Sequence, residues 1–150
     1  MELISSTNNI SVNNQILEKV SNFNYLGSRM FVDGDSMKEI NTHIAVAAST
    51  FTKLNNIWKS KDLGRNTKLK PFNSCIVPVL TYGSENWKST QATDQKLNSF
   101  ENKCLRKLMN IKWSDFVTNS DLRNKTHQEY VSNIIRKRRW KYLGHVFKTR

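Results

Sequence analysis

The sequence predicts a mainly α-helical α+β fold, in which a small N-terminal β-hairpin or sheet precedes a bundle of about four to five helices. Three observations predict it. Apolar residues alternate with polar ones before residue 35 and recur every three to four residues after it, which are the periods of strands and of helices. Aromatic residues make up 10% of the chain, enough to expect a packed core. At 150 residues, the chain is about one domain long.

The β-type pattern lies in residues 1–35. The alternation on either side of Asn13-Asn14, a dipeptide suited to tight turns, predicts a hairpin over residues 10–20. A further β-type segment covers residues 23–31 and ends at the turn signal Asp33-Gly34-Asp35. Together they predict a three-stranded sheet, which is marginal when it stands alone.

Two helices are predicted to follow. A capping box at Ser36–Glu39 opens a long amphipathic helix that Leu63-Gly64 closes. A second helix begins near Thr67 and stops at Gly83. Pro78 is expected to kink or split this helix, because proline lacks the backbone donor and crowds the preceding turn.

The C-terminal part is predicted to hold two more helices. The third helix begins at a Thr93 cap, and its outward positions are mostly basic. Residues 111–119 are expected to be irregular, with their two aromatic side chains packed back onto the helices, and a short turn at residues 120–124 follows. A second capping box at Thr126–Glu129 opens the last helix.

Positive charge increases along the chain, whose formal net charge is +12. Residues 1–50 hold three Lys and Arg against five Asp and Glu, whereas residues 101–150 hold thirteen against four. Such an uneven distribution attracts polyanions, of which nucleic acid is the commonest. A solvated basic surface without a specific partner is the alternative.

The strongest local signal is the basic run at residues 136–141. On a helix, four of these six residues share a face opposite the apolar stripe of Val131, Ile135 and Tyr142. Guanidinium groups can bind phosphate oxygens in a forked arrangement, and an indole among them offers a stacking surface. The residues expected to bind nucleic acid are Arg136, Lys137, Arg138, Arg139, Trp140, Lys141, Lys103, Arg106 and Lys107.

No catalytic residue, metal ligand or cofactor is expected. The six aspartates are scattered and never adjacent, whereas two-metal chemistry needs carboxylates that converge. The three histidines have no partner at ligand spacing, and the glycines form no phosphate-binding loop. We therefore do not expect the chain to be an enzyme on its own.

The expected location is intracellular, with the nucleus favoured because a short basic run also suits nuclear import. The N-terminus lacks the pattern of a secretory signal, and no apolar stretch approaches the ~18 residues that a membrane span needs. Cys75 and Cys104 are expected to be buried thiols rather than a disulfide.

Several strings resemble, in the right order, the region that follows the catalytic palm in reverse transcriptases of non-LTR (LINE-type) retrotransposons. The strings are Val20–Ser28, Glu39-Ile40 with Ala47, Val79–Trp87, Cys104–Arg106 with Ile111–Asp115, and Arg138–Val146. The resemblance covers about residues 10–148. It implies that residues 1–35 are a residual palm-edge β segment and that residues 36–150 are a thumb or connection-like helical domain.

The resemblance also implies a partner and a second site. A thumb would bind the backbone of an RNA–DNA hybrid or duplex. The polymerase portion of a related element would be a second partner. The primer-grip-like residues would be Phe23, Tyr25, Leu26 and Gly27. The tyrosine-x-aspartate-aspartate motif of the palm is absent from the sequence, so polymerase activity does not carry over.

Two alternatives stay open. The chain could be an independent small helical protein that binds DNA or RNA, in which the last helix enters a groove, although a contiguous basic run suits phosphates better. It could also be a non-functional relic of a retroelement, with an exposed sheet edge as its weakness.

Overall fold

A computed structural model describes residues 11–12, 15–16, 22–25, 28–31 and 36–148. The chain divides into two compact units, residues 1–34 and residues 35–150. In the first unit only the backbone pairing of short strands is described. In the second unit, side chains are described for residues 36–145 and 147–148.

The first unit contains two separate antiparallel strand pairs. Strand β1 (Ser11–Val12) pairs with β2 (Gln15–Ile16). Strand β3 (Asn22–Tyr25) pairs with β4 (Ser28–Phe31), with Tyr25 opposite Ser28. The sequence predicts one β-type segment at residues 23–31, whereas its described residues belong to two strands that pair with each other.

The predicted α+β fold class is wrong. In residues 36–148, 79% of the chain is helical and no strand occurs. The described strands join into no three-stranded sheet, because each pair stands alone. Within residues 36–148 the hydrophobic core is formed by helical residues together with Trp87, which follows the 3₁₀ turn at Ser84–Asn86.

Seven α-helices lie in residues 36–148, more than the four to five predicted. They are α1 (Ser36–Lys53), α2 (Asn55–Lys59), α3 (Arg65–Pro71), α4 (Val77–Leu80), α5 (Gln91–Leu108), α6 (Asn119–Thr126) and α7 (Val131–Lys148). A π-helical turn (Phe72–Ile76) joins α3 to α4, and 3₁₀ turns lie at Ser84–Asn86 and Trp113–Asp115.

The predicted long first helix is broken at Leu54. Trp58 donates its indole N–H to the carbonyl oxygen of Phe51 at 2.7 Å, and the two rings stack with centroids 4.8 Å apart. In a continuous helix that carbonyl would accept from residue 55. The Trp58 indole therefore competes with the helical hydrogen bond, and the chain restarts as α2.

Pro78 is accommodated by a change of helical register and not by a gap. Helix α3 begins at Arg65, and the helical path continues through the π-turn to Leu80. The N–H of Val77 donates to the carbonyl of Phe72, five residues back. Pro78 is then the second residue of α4, where its missing N–H costs no helical bond. The helical path ends at Leu80, three residues before the predicted stop, and Gly83 lies in the turn that follows, with φ at 67°.

The last two helices begin at places other than those predicted: α6 begins after a Thr118 cap whose capping-box partner is Asp121, a local signal that the prediction missed. The predicted turn at residues 120–124 lies inside α6, and Thr126, predicted to cap the last helix, instead ends α6. Helix α7 starts at Val131, whose N–H donates to the carboxylate of Glu101 at 3.1 Å. The cap of α7 therefore comes from α5, thirty residues away in sequence.

One hydrophobic core lies between these helices. It takes Ile40, Ala47 and Phe51 from α1, and helix α5 contributes a stripe that includes Leu97, Cys104, Leu105 and Leu108. Helix α5 begins at a Thr90 cap with Thr93 as its capping-box partner, one turn before the predicted cap. Because α5 packs against α1, α6 and α7, it sets the positions of the basic side chains.

Candidate nucleic-acid interface

The basic run of α7 is divided between two sides of the helix. Arg138 and Arg139 point to the protein body. Arg138 donates to the hydroxyl of Thr81 at 2.6 Å. Arg139 donates to the carbonyl of Ser84 at 2.8 and 3.1 Å and to the carbonyl of Trp87 at 2.6 Å. These two arginines fix the segment after α4 to the last helix, so they are structural contacts.

The other four residues of the run are exposed. Arg136 forms an ion pair with Asp94 at 2.6 Å, and Lys137 forms one with Glu129 at 2.7 Å. Exposed pairs of this kind contribute little to stability and are screened by salt, so a phosphate can compete for the cations. Trp140 and Lys141 lie on the outer side, with Trp140 73% exposed.

The C-terminal half of α7 extends beyond the core. Every described side chain from Trp140 to Lys148 is exposed. Tyr142 lies on the apolar stripe predicted with Val131 and Ile135, but it is solvent-facing whereas those two are buried. The periodicity continues, but no described element lies under this part of the helix.

A second basic surface lies along α5, which we call the lysine stripe: Lys96, Lys103 and Lys107. At 100° per residue these three positions fall within about 40° of one another and span about 16 Å. All three are exposed, and no described carboxylate pairs with them. The Nζ of Lys107 lies 5.7 Å from the centre of the Phe51 ring.

The lysine stripe and α7 lie on opposite sides of α5. The residues of α5 that contact α7 are Asp94, Asn98 and Glu101, through bonds to Arg136, Ser132 and Val131. Their helical angles are about 180° from the stripe. The single basic surface expected from the sequence is therefore two surfaces, with Lys103 and Lys107 on one and the α7 residues on the other.

Arg106 belongs to neither surface. Its Nη2 donates to the carbonyl of Val117 at 2.8 Å and to the side chain of Asn119 at 2.9 Å. These bonds hold the connection between α5 and α6 against α5. Within that connection Trp113 and Phe116 are 90% and 81% exposed, so the prediction that they pack onto the helices is wrong.

A buried ionic cluster connects α5, α6 and α7. Arg123 of α6 forms an ion pair with Glu101 at 2.8 Å and a hydrogen bond to Asn102. Burial raises the pKa of Glu101, against the lowering effect of Arg123 and of the Val131 N–H. Lys68 is also buried and donates to the carbonyl of Trp58 at 2.9 Å. Arg123 and Lys68 therefore stabilise the fold, and nothing in the sequence around them distinguishes them from surface cations.

The primer-grip-like residues and the two cysteines are the remaining residues for which the sequence makes a prediction. Of the primer-grip-like residues, Leu26 and Gly27 lie outside the described residues, and Phe23 and Tyr25 are described only as backbone in β3. Cys104 is buried as expected, whereas Cys75 is exposed, which contradicts its predicted burial. Both thiols are free, and burial raises the pKa of Cys104 to about 12.

Comparison with known proteins shows that the chain is similar in sequence to a transposon-derived protein. Residues 50–82 match a domain of unknown function, DUF6451. Over 134 residues the chain is 25% identical to an uncharacterized transposon-derived protein of Caenorhabditis elegans. That match covers 87% of this chain and 48% of the relative, so the chain spans about half the relative's length. No solved structure matches the chain.

These matches show no reverse transcriptase family, which leaves the finer resemblance an expectation. In the described part of the chain, no helix is long and apolar enough to cross a membrane. No group of three potential metal ligands occurs among the described residues.

Proposed function

We propose that this chain derives from a retroelement and binds the sugar–phosphate backbone of nucleic acid without reading its sequence. The transposon-derived relative supports the origin, since the similarity extends over most of this chain. The lysine stripe supports the binding, because its three exposed lysines lie along one face of α5.

The geometry of the stripe suits phosphates rather than base edges. Its length of about 16 Å corresponds to about five phosphates of one strand, at 3.4 Å per phosphate along the axis of a duplex. Lysine acts as a point charge without the forked geometry by which arginine pairs with guanine. Lys137, Trp140 and Lys141 of α7 form a second contact surface in this proposal.

The finer assignment, that residues 36–150 correspond to the thumb and connection of a non-LTR reverse transcriptase, is part of the same proposal. It is supported by the proximity of two of the resembling strings: Arg138 and Arg139 of the last string bond to Thr81, Ser84 and Trp87 of an earlier one. Strings that are distant in sequence then belong to one packed unit. The proposal includes no catalytic step, and the polymerase portion of a related element is the proposed second partner.

Fluorescence anisotropy with two labelled duplexes of unrelated sequence tests the binding. The variant K96Q/K103Q/K107Q should lose more than about 30-fold in affinity at 0.1 M salt for both duplexes alike, because three phosphate contacts are lost. The control K61Q/K70Q/K125Q removes the same charge from exposed positions elsewhere and should lose much less. Equal losses in the two variants would show that only net charge matters, and a loss confined to one duplex would indicate groove reading.

A further inference from the structure

The connection between α5 and α6 presents two aromatic side chains to solvent. Trp113 is 90% exposed and Phe116 is 81% exposed, and their ring centroids lie 5.9 Å apart at an angle of 48°. Large aromatic side chains are normally buried, so an adjacent exposed pair requires an explanation. Neither ring contributes to the described hydrophobic core.

The backbone beneath these rings is held in place. The N–H of Lys112 donates to the carboxylate of Asp115 at 2.7 Å and closes the 3₁₀ turn. Arg106 holds the other end through the Val117 carbonyl. Phe116 itself has φ 48°, in the left-handed region that bulky side chains rarely adopt. The exposed rings therefore stand on an ordered support, which reduces the entropy lost when a ligand binds.

The chemistry around the rings favours an anionic ligand with a flat apolar part. A cleft of about 480 Å³ lies at this connection, and its lining includes Trp113, Phe116, Arg106 and Lys112. The lining contains two cations, and the carboxylate of the 3₁₀ turn, Asp115, is not part of it and accepts a hydrogen bond from the Lys112 N–H. A neutral apolar peptide would gain nothing from the two cations, whereas a nucleotide offers both a ring to stack and a phosphate to pair.

We propose that Trp113 and Phe116 stack on an unpaired base of a nucleic acid strand, while Lys112 and Arg106 contact the adjacent phosphates. This inference rests on the proposed backbone binding and adds a single-strand site to it. Arg106 lies three residues after Lys103 on α5, so the cleft begins one helical turn from the lysine stripe. A strand that follows the stripe would reach the aromatic pair at its end.

Tryptophan fluorescence can report on this site directly, because Trp58 and Trp87 are buried and Trp140 is the other exposed indole of the described residues. Because Trp140 belongs to the second proposed contact surface, W140F is studied at a concentration of twelve-nucleotide oligothymidine that saturates its binding, where the strand should quench the Trp113 emission and protect it from acrylamide. In W140F/W113F both effects should disappear. If fluorescence anisotropy shows that W140F binds fluorescently labelled oligothymidine while the emission of Trp113 and its quenching by acrylamide stay unchanged, the inference is wrong.

Affinity measurements separate stacking from charge. W113A/F116A should bind oligothymidine about 5- to 150-fold more weakly, the fold-change expected for one stacked base. Its affinity for duplex DNA and for heparin, a polyanion without bases, should stay within about twofold. A comparable loss for heparin overturns the inference. So does a change in the sedimentation of the free variant, since the rings would then serve self-association.

The failure of this inference is distinguishable from the failure of the proposed function. If wild-type protein binds duplex and heparin while W113A/F116A binds oligothymidine normally, only the stacking site is wrong. If wild-type protein binds none of the three at low salt, both proposals are wrong.

Discussion

Replacing Arg139 with methionine is expected to destabilise the helical unit, because its guanidinium connects α7 to the segment after α4. Three hydrogen bonds to the carbonyls of Ser84 and Trp87 are lost. Hydrogen bonds from charged donors contribute about 1.5–3 kcal/mol each. Since Arg139 is only partly buried and two of the bonds share one acceptor, we expect a loss of roughly 2–4 kcal/mol.

Urea unfolding followed by circular dichroism measures this loss, and the melting temperature should fall by about 8–16 °C. Lys141→Met is the matched control: it removes a cation two residues away on the exposed side of α7 and should change stability by less than about 0.5 kcal/mol. If R139M is as stable as K141M, Arg139 does not connect the two segments. The run at residues 136–141 would then be one open basic surface.

Further predictions concern the interior and the turns. Glu101→Ala should cost about 3–5 kcal/mol in urea unfolding, because Arg123 is left buried without its carboxylate, and a double-mutant cycle with Arg123→Ala should recover part of that loss. At pH 8, iodoacetamide should alkylate Cys75 in the folded protein and leave Cys104 unmodified, since burial raises the pKa of the Cys104 thiol to about 12; mass spectrometry with equal labelling of both would contradict this. Gly83→Ala should cost about 1–2 kcal/mol, because φ is 67° there, and an unchanged urea midpoint would argue against that backbone conformation.

The parts of the fold that sequence predicts are those set by local periodicity. The apolar residues from Ile40 to Phe51 recur at the spacing that places them on one face of a helix, and α1 forms there with that face buried. The turn after α4 contains Gly83, because glycine adopts positive φ without strain. Local signals of this kind need no knowledge of what lies across the core.

The parts that sequence does not predict are set by individual side-chain contacts, either within a short stretch of chain or between distant segments. The break at Leu54 depends on where the Trp58 indole finds an acceptor. The start of α7 depends on Glu101, which belongs to another helix. A threonine followed by a glutamate three residues later is the same string at residues 126–129 whether or not it caps a helix, so the string alone could not locate the start of α7.

The candidate site was predicted only in part, because it also depends on how the helices pack against one another. Six consecutive residues at 136–141 appear equivalent in sequence, but the side of α7 on which each lies separates Arg138 and Arg139 from Trp140 and Lys141. The outward basic positions of α5 follow from helical periodicity. That they face away from α7 does not, because it depends on which side of α5 the last helix packs against.

The salt dependence of duplex binding tests the central claim most directly. For wild-type protein, the logarithm of the association constant should fall linearly with the logarithm of the salt concentration, and K96Q/K103Q/K107Q should reduce the magnitude of that slope by about 2.7, at 0.9 per phosphate contact. K61Q/K70Q/K125Q should leave the slope nearly unchanged. A slope that is the same in wild-type protein and in the lysine-stripe variant would contradict the account, because the stripe would then contact no phosphate.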